Sequence, residues 1–548
     1  MAHPLSIYVA QINAKMGDIS GNREKILSHW QQGRDANADV VVVPECAICG
    51  YPPEDLLFKR SFVDACMEAV KTLADNIMAE KTPQGPALLV GTPWRAEGFL
   101  FNAGVLIKNG QINTIACKQE LPNYGVFDEQ RYFQAGMGSS ICKIGEVTVG
   151  LAICEDLWFP PVAAQLAQKG AEVILSLNAS PFDINKRKTR TEIIRYRADE
   201  TQRPILYVNA TGGQDELVFD GHSFAQNPHT PTPAFLAAGF EETAFMVTFE
   251  NGTLSTKANL LAPKNDLDNL HAALCCGVRD YVHGNGFKDV VLGLSGGIDS
   301  ALTAAIAVDA LGPDHVTGLL MPSPYSSEHS LDDSHKLAEN LGIKTHTVPI
   351  ETGMAAFNTM LLNVFKNTTE DVTEENIQAR LRGMLLMAYS NKFGGMVLST
   401  GNKSELSVGY STLYGDMNGG FNPLKDVYKT TVFALCQHLS KKANTIPPNI
   451  ISKPPSAELR PDQQDSDSLP DYDTLDTILK QAIEAHKSVN DIVQDGVQDG
   501  LEKPVVEKIM AMLRLAEYKR RQSCPGVKVS HVAFGRDFRF PITNNWRT

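Results

Sequence analysis

Short apolar runs alternate with polar, helix-period stretches twice along this chain, and the alternation lapses once between the two series. In the first series, residues 5–12, 40–45, 87–92, 104–107, 112–118, 147–154, 173–178 and 205–209 are dense in Val, Ile, Leu and Ala and predict strands. Asn109-Gly110 separates two of them and predicts a tight hairpin, because the favoured two-residue turn needs positive φ at both positions. Residues 22–34 and 161–169 predict helices between other strands. Mixed strand pairing with interspersed helices predicts a layered α/β sandwich.

Around residues 251–268 the pattern breaks into a polar connector, NGTLSTKANLLAPKNDLDN, which predicts a domain boundary. The expected division is therefore 1–252, a connector 253–268, and 269–548. A second series follows: strands at 289–294, 316–321, 344–350 and 396–400, with helices at 301–311, 331–341 and 376–392. Strands and helices in strict alternation predict a doubly wound parallel sheet. Residues 453–473, KPPSAELRPDQQDSDSLPDYD, have no periodicity and predict a mobile loop.

At 548 residues, the chain is long enough for several domains. The net charge of -13 argues against a general nucleic-acid or acidic-membrane binder, which would carry a basic face. The start, MAHPLSIYVAQIN, lacks the basic and apolar segments of a secretory leader, and no run reaches the roughly 18 apolar residues of a membrane span. A cytoplasmic enzyme is expected. Ten cysteines are too dilute for a disulfide framework, and Cys46 with Cys49 forms a CxxC without a second pair to complete a zinc site. Buried reduced thiols are the better reading.

Three reactive residues close predicted strands: Glu45 after DVVVVP, Lys118 after QINTIAC and Cys154 after VTVGLAI. Ligands collect outside the carboxyl ends of strands in α/β sheets, so the three could share one crevice. There, Glu45 could deprotonate the Cys154 thiol, while Lys118 and the backbone N–H after Cys154 stabilise an oxyanion. Glu129, in FDEQRYF, could keep Lys118 charged and orient a substrate amide.

VVPE, KQELPNYGVFDEQRYF and GLAICEDLWFP resemble the motifs of the nitrilase (carbon–nitrogen hydrolase) superfamily over about residues 5–250. The resemblance implies an αββα sandwich, with Glu45 as base, Lys118 as oxyanion stabiliser, Cys154 as nucleophile and Glu129 as accessory acid. In the branch that uses glutamine, it places Tyr124 and, from NASPFDINK, Ser180, Pro181 and Lys186 around the pocket.

VVLGLSGGIDSALTAA is strand, glycine turn, helix. Backbone N–H groups of Gly296, Gly297 and Ile298 at the helix start, with the hydroxyls of Ser295 and Ser300, could cradle phosphate oxygens. The lysine of a Walker A loop is missing. Asp299 puts a carboxylate beside those phosphates, which points to Mg2+ as a bridge. SGGIDS resembles the PP-loop of ATP pyrophosphatases. MPSPYSSEHSLDD, NIQARLRGMLLM and LSTGNKSELSVGYSTLYGDMNGGFNPLKDVYKT resemble NAD synthetases.

A nitrilase module and a PP-loop module in one chain resemble the glutamine-dependent NAD+ synthetase family. That resemblance implies small-molecule substrates (glutamine or ammonia, ATP and deamido-NAD+) and a homo-oligomer. It implies that Ser295, Gly296, Gly297, Ile298, Asp299, Ser300 and Thr400 contact ATP, and that Asp299 and Glu405 bind Mg2+. Arg380, Asn402, Asp416 and Lys425 would lie around the dinucleotide. Two rivals remain: another PP-loop amidotransferase, or a nucleotide sensor fused to an inert nitrilase fold. Asparagine synthetase-like enzymes need an N-terminal nucleophilic Cys where residue 2 here is Ala, and GMP synthetase-like enzymes need a Cys-His-Glu amidase.

Overall fold

Alternation along each strand decides which layer its side chains join, because successive residues face opposite ways. In the strand Leu5–Gln11, Leu5, Ile7 and Val9 enter one apolar cluster while Tyr8 and Ala10 enter another. The computed structural model of the protein describes residues 4–80, 85–258, 260, 265–443, 445–461, 463–496 and 500–546. It divides into two units, Met1–Asn269 and Leu270–Thr548.

The first unit is built on two sheets. The larger runs Thr253–Ser255, Thr243–Glu250, Leu5–Gln11, Val40–Val42, Ala87–Ala96, Phe99–Lys108 and Gln111–Cys117 in spatial order. The smaller runs Phe235–Leu236, Phe224–Gln226, Ile205–Asn209, Val173–Asn178, Val147–Ile153 and Ser140–Ile144. Their inner faces meet through Ile7, Val42 and Leu89 on one side and Val149, Leu175 and Val208 on the other. The outer face of the larger sheet is covered by helices Ile19–Asp35 and Arg60–Ala79, through Ile26, Trp30, Val70 and Leu73. Helices Pro160–Gln168 and Lys186–Thr201 cover the smaller sheet through Leu166 and Ile194. The result is the four-layer αββα sandwich.

In the second unit, four parallel strands lie in the order Lys344–Thr347, Val316–Leu320, Val290–Gly293, Met396–Val397. In chain order this is third, second, first, fourth, so the winding reverses between Val290–Gly293 and Met396–Val397. Val291, Leu319 and Val397 pack one face against Leu386 of helix Val372–Phe393, while Leu292 and Leu320 are buried on the other. The reversal creates the crevice in which doubly wound sheets hold ligands.

Some elements differ from the sequence pattern. The run at 40–45 leaves the sheet after Val42, and the following turn folds Glu45 inward. The run at 396–400 joins the sheet through Met396–Val397, and Leu398 and Ser399 then bridge to Phe421, which leaves residues 400–402 beyond the strand at the crevice. Residues 253–268 contain an edge strand, Thr253–Ser255, hairpinned through Asn251-Gly252 at positive φ, and the start of helix Asp266–Gly284. Asn259 and residues 261–264 of that stretch, and Asp462 of the loop at 453–473, lie outside the described residues. Among the described residues, no helix is long and apolar enough to cross a membrane.

Candidate active sites

In the first unit, Glu45 follows Val40–Val42, Lys118 follows Gln111–Cys117 and Cys154 follows Val147–Ile153, each just past the carboxyl end of its strand. All three are buried. The turn that turns Glu45 inward needs a glycine on the adjacent strand, because a Cβ on Gly91 would lie 2.5 Å from Pro44 O and Cys46 N. Lys118 Nζ then stands 2.8 Å from Glu45 Oε1 and 2.8 Å from Glu129 Oε1. Asn102 Nδ2 donates to Glu45 Oε1 at 2.7 Å, and Ala179 N donates to Oε2 at 2.8 Å. Tyr51 OH donates to Glu129 Oε1 at 2.7 Å, while Glu129 Oε2 is buried without a hydrogen-bond partner among the described residues.

Cys154 has φ +47°, in the left-handed region that non-glycine residues seldom occupy. Such strain needs a surrounding structure to hold it. Asp156 supplies one clamp: its carboxylate accepts from Ile153 N at 3.0 Å, Gln119 N at 2.8 Å and Glu120 N at 3.0 Å. It therefore locks the turn carrying Cys154 to the loop that follows Lys118. Burial lifts this carboxyl to about 6 despite the three N–H donors.

Two carboxylates around one ammonium set the electrostatics. Burial opposes the Lys118 charge, but Glu129 and Glu45 more than offset it, and the ammonium titrates well above the ordinary lysine range. Burial pushes Glu129 up to about 7 against the pull of Lys118. Burial and the Glu45 carboxylate push the Cys154 thiol well up, so Cys154 rests as a thiol.

At the mouth, Tyr124 OH donates to Glu155 Oε1 at 2.8 Å, and Lys186 Nζ lies 4.2 Å from the Trp158 ring centroid. Lys186 and Glu155 therefore bring opposite charges beside Cys154. Ser180 is held by Arg190, whose Nη2 donates to its Oγ at 3.2 Å and whose Nη1 is paired with Asp220 at 3.0 Å. Pro181 bridges to Phe219. Asn102, Tyr51, Glu155, Asp156 and Trp158 escaped the sequence reading. Glu155 and Asp156 directly follow Cys154 in CEDLWFP, and that adjacency is a usable signal. Cys46 and Cys49 are buried and free.

In the second unit, Ser295 to Gly297 link strand Val290–Gly293 to helix Ile298–Leu311 at the winding reversal. Gly296 has φ +73°, and a Cβ there would meet Ser330 O at 2.4 Å. The hydroxyls of Ser295 and Ser300 are 3.1 Å apart, and Gly297 N donates to Ser295 Oγ at 3.2 Å. Across the crevice, helix Lys403–Val408 starts with Asn402, whose Nδ2 donates to Asp299 Oδ1 at 2.9 Å. Lys429, at the start of helix Lys429–Ala443, places its ammonium between Asp299 Oδ2 and Glu405 Oε1, 3.2 Å from the latter. Burial raises the Glu405 carboxyl, Lys429 pulls it back and Asp299 raises it again.

Asp299, Asn402 and Glu405 are thus together, and the sequence reading missed Lys429, which joins them from 24 residues beyond Glu405. Glu405 and Asp416 line one recess with Ser399, Gly401 and Asn422. Arg380 stands off from these groups, donating through Nε to Leu413 O at 3.2 Å. Lys425 is buried and donates its backbone N to Asn422 O, and Thr400 follows Ser399 at the crevice.

Comparison with known proteins divides the chain in the same way. Residues 7–246 match the carbon-nitrogen hydrolase family model and residues 270–523 the NAD synthase family model. A glutamine-dependent NAD(+) synthetase from Rhodobacter capsulatus is 44% identical over 559 aligned residues, covering 100% of both chains. The solved structure of a glutamine-dependent NAD+ synthetase from Acinetobacter baumannii, in complex with adenosine diphosphate, is 38% identical with a TM-score of 0.79 over 99% of each chain. The counterpart from Cytophaga hutchinsonii shares the fold at a TM-score of 0.85 and 22% identity, over 99% of this chain and 98% of that one.

Proposed function

The chain belongs to the glutamine-dependent NAD(+) synthetases, and from that premise we infer that its first unit releases ammonia from glutamine and its second amidates deamido-NAD+ at the expense of ATP. The observation that carries the first half is the Lys118 ammonium held 2.8 Å from both Glu45 and Glu129 next to a buried thiol.

Because Cys154 rests as a thiol, its proton must leave as sulfur attacks, and Glu45 is the acceptor. Attack on the glutamine carboxamide forms the C–S bond and an oxyanion, which Lys118 and the Glu155 N–H stabilise. The partnerless Glu129 Oε2 accepts an N–H of the carboxamide. The C–N bond then breaks, the proton goes to the leaving nitrogen, and ammonia departs. Water hydrolyses the thioester to glutamate and restores the thiol. Glu155 and Lys186 match the α-ammonium and α-carboxylate of glutamine in charge. Glu155→Gln is expected to raise KM for glutamine by about 10- to 150-fold, the equivalent of roughly 1.5–3 kcal/mol for a hydrogen bond to a charged group. Steady-state kinetics with glutamine and with ammonium check this, and an unchanged KM for glutamine removes Glu155 from recognition.

In the second unit, the nicotinate carboxylate oxygen attacks the α-phosphate of ATP and pyrophosphate leaves, since adenylate is a far better leaving group than oxide. Ammonia then attacks the carbonyl carbon and AMP departs. Ser295, Gly296, Gly297, Ile298 and Ser300 hold the pyrophosphate oxygens. Asp299 and Glu405 already share one cation, the Lys429 ammonium, and their hard oxygens suit Mg2+. Mg2+ held there would neutralise charge on the polyphosphate. Thr400 contacts ATP, and Arg380, Asn402, Asp416 and Lys425 surround the dinucleotide. The chain works as a homo-oligomer in the cytoplasm.

The direct test is incubation with deamido-NAD+, ATP and glutamine. NAD+, AMP, pyrophosphate and glutamate should accumulate together; a nucleotide sensor would produce none of them.

The loop at 453–473 is proposed to close over both bound nucleotides and keep water from the adenylate. It is tied beside the Ser295–Ser300 loop, where Lys453 Nζ donates to Ser330 Oγ at 2.9 Å and Ser330 Oγ donates to the Glu458 carboxylate at 2.6 Å. Limited proteolysis is expected to cut it more slowly when ATP and deamido-NAD+ are present. Equal cleavage rates would count against a lid.

A further inference from the structure

Neither reaction uses a second group of reactive side chains in the Leu270–Thr548 unit. His271 and Cys275 stand one turn apart on helix Asp266–Gly284, which puts them on the same face. Asp309 reaches them from the last turn of helix Ile298–Leu311. His271 Nε2 is 3.1 Å from Asp309 Oδ2 and 3.5 Å from Cys275 Sγ, and the three donor atoms all lie within 4.8 Å of one another. Among the described residues this is the only group of three or more His, Cys, Asp and Glu side chains so placed.

We propose that His271, Cys275 and Asp309 form a binding site for a thiophilic divalent cation of the Zn2+ class. Tetrahedral Zn2+ holds its ligands at about 2.0–2.3 Å, which sets ligand atoms about 3.3–3.8 Å apart. The two measured separations are close to that spacing, so a cation could enter with small side-chain shifts. One imidazole nitrogen, one thiolate sulfur and one carboxylate oxygen form a mixed set that favours Zn2+ over Mg2+ or Ca2+. The site is therefore chemically distinct from the all-carboxylate pair at Asp299 and Glu405.

Access is also suitable. The Asp309 side chain is 53% exposed and that of His271 18%, so a cation can arrive from solvent on one side and keep water as a fourth ligand. The adjacent Cys276 does not share the site, because its Sγ approaches Asp280 Oδ2 at 3.7 Å and Arg279 Nη2 at 3.5 Å instead. On binding, the cation forms bonds to Nε2, Sγ and the carboxylate, the thiol proton passes to solvent, and no electron is transferred. A filled site would fasten helix Asp266–Gly284 to Ile298–Leu311, the helix whose first turn carries Asp299 and Ser300.

Titration of the full-length chain with Co2+ as a spectroscopic substitute tests this, with Zn2+ added afterwards as competitor. One Co2+ per chain should bind with a thiolate-to-cobalt charge-transfer band that Zn2+ removes. Cys275→Ser and His271→Ala should each lose the band, while Cys276→Ser and Cys154→Ala should keep it. Asp309→Asn provides a third variant should either of the first two fail to fold, as judged by circular dichroism. Absence of the band from the unmodified chain, its persistence in Cys275→Ser, or its loss in Cys154→Ala would each overturn the proposal.

Discussion

Cys154→Ala is expected to lose glutamine-driven NAD+ synthesis entirely while keeping ammonium-driven synthesis near the level of the unmodified chain. Alanine removes only the sulfur, so no thioester forms and glutamine is not hydrolysed. Loss of a nucleophile of this kind costs about 10^4-fold or more in turnover. The substitution lies in the Met1–Asn269 unit, whereas Ser295–Ser300, the loop assigned to the phosphates, lies in Leu270–Thr548. Ammonia from solution can still attack the adenylate, although little of it is free base near neutral pH, so the assay needs a high total ammonium concentration. Parallel measurement of NAD+ formation from the two nitrogen sources decides the matter. Retained glutamine-dependent synthesis would remove Cys154 as nucleophile; loss of both activities in a folded variant would remove the separability of the two chemistries.

Asp299→Ala should abolish synthesis from either nitrogen source, because both routes need the same adenylate. Asp299 receives the Asn402 amide and the Lys429 ammonium, and with Glu405 it forms the carboxylate pair assigned to Mg2+. Without it, Lys429 is left with one carboxylate partner, and breaking a buried pair can cost about 3–5 kcal/mol of stability. Asp299→Asn separates the effects, since it keeps the shape and a hydrogen bond to Asn402 but not the charge. Both variants should still hydrolyse glutamine, read as glutamate released. Near-normal NAD+ formation with ammonium by Asp299→Asn would contradict the assignment.

The meeting of Glu45, Lys118 and Cys154 was readable from the sequence because each follows an apolar strand, and strands of one direction deliver their carboxyl ends to one edge. The turn at 295–297 was readable for the same reason, as glycines and hydroxyls between one strand and one helix. What was not readable depends on long-range closure. Asn102 reaches Glu45 across 57 positions, and Tyr51 reaches Glu129 across 78. Lys429 meets Asp299 across 130, and although it lies in the stretch ending DVYKT, only the fold shows which of its lysines reaches the carboxylates. Residues 251–268 looked like a connector because charge and proline hide a three-residue edge strand, which gains its stability from pairing with Thr243–Glu250. That longer partner does alternate, with Phe245, Val247 and Phe249 facing the core, and its pattern was a usable signal.

Deamido-NAD+ labelled with heavy oxygen in its nicotinate carboxylate tests the proposed adenylate most directly. If that carboxylate attacks the α-phosphate, one labelled oxygen must leave with AMP when ammonia displaces it, and pyrophosphate must stay unlabelled. Mass spectrometry of the products from ATP, glutamine and labelled deamido-NAD+ should therefore find one heavy oxygen in each AMP formed. Unlabelled AMP, or ADP with labelled phosphate in its place, would contradict activation at the α-phosphate and with it the chemistry assigned to the Ser295–Ser300 loop.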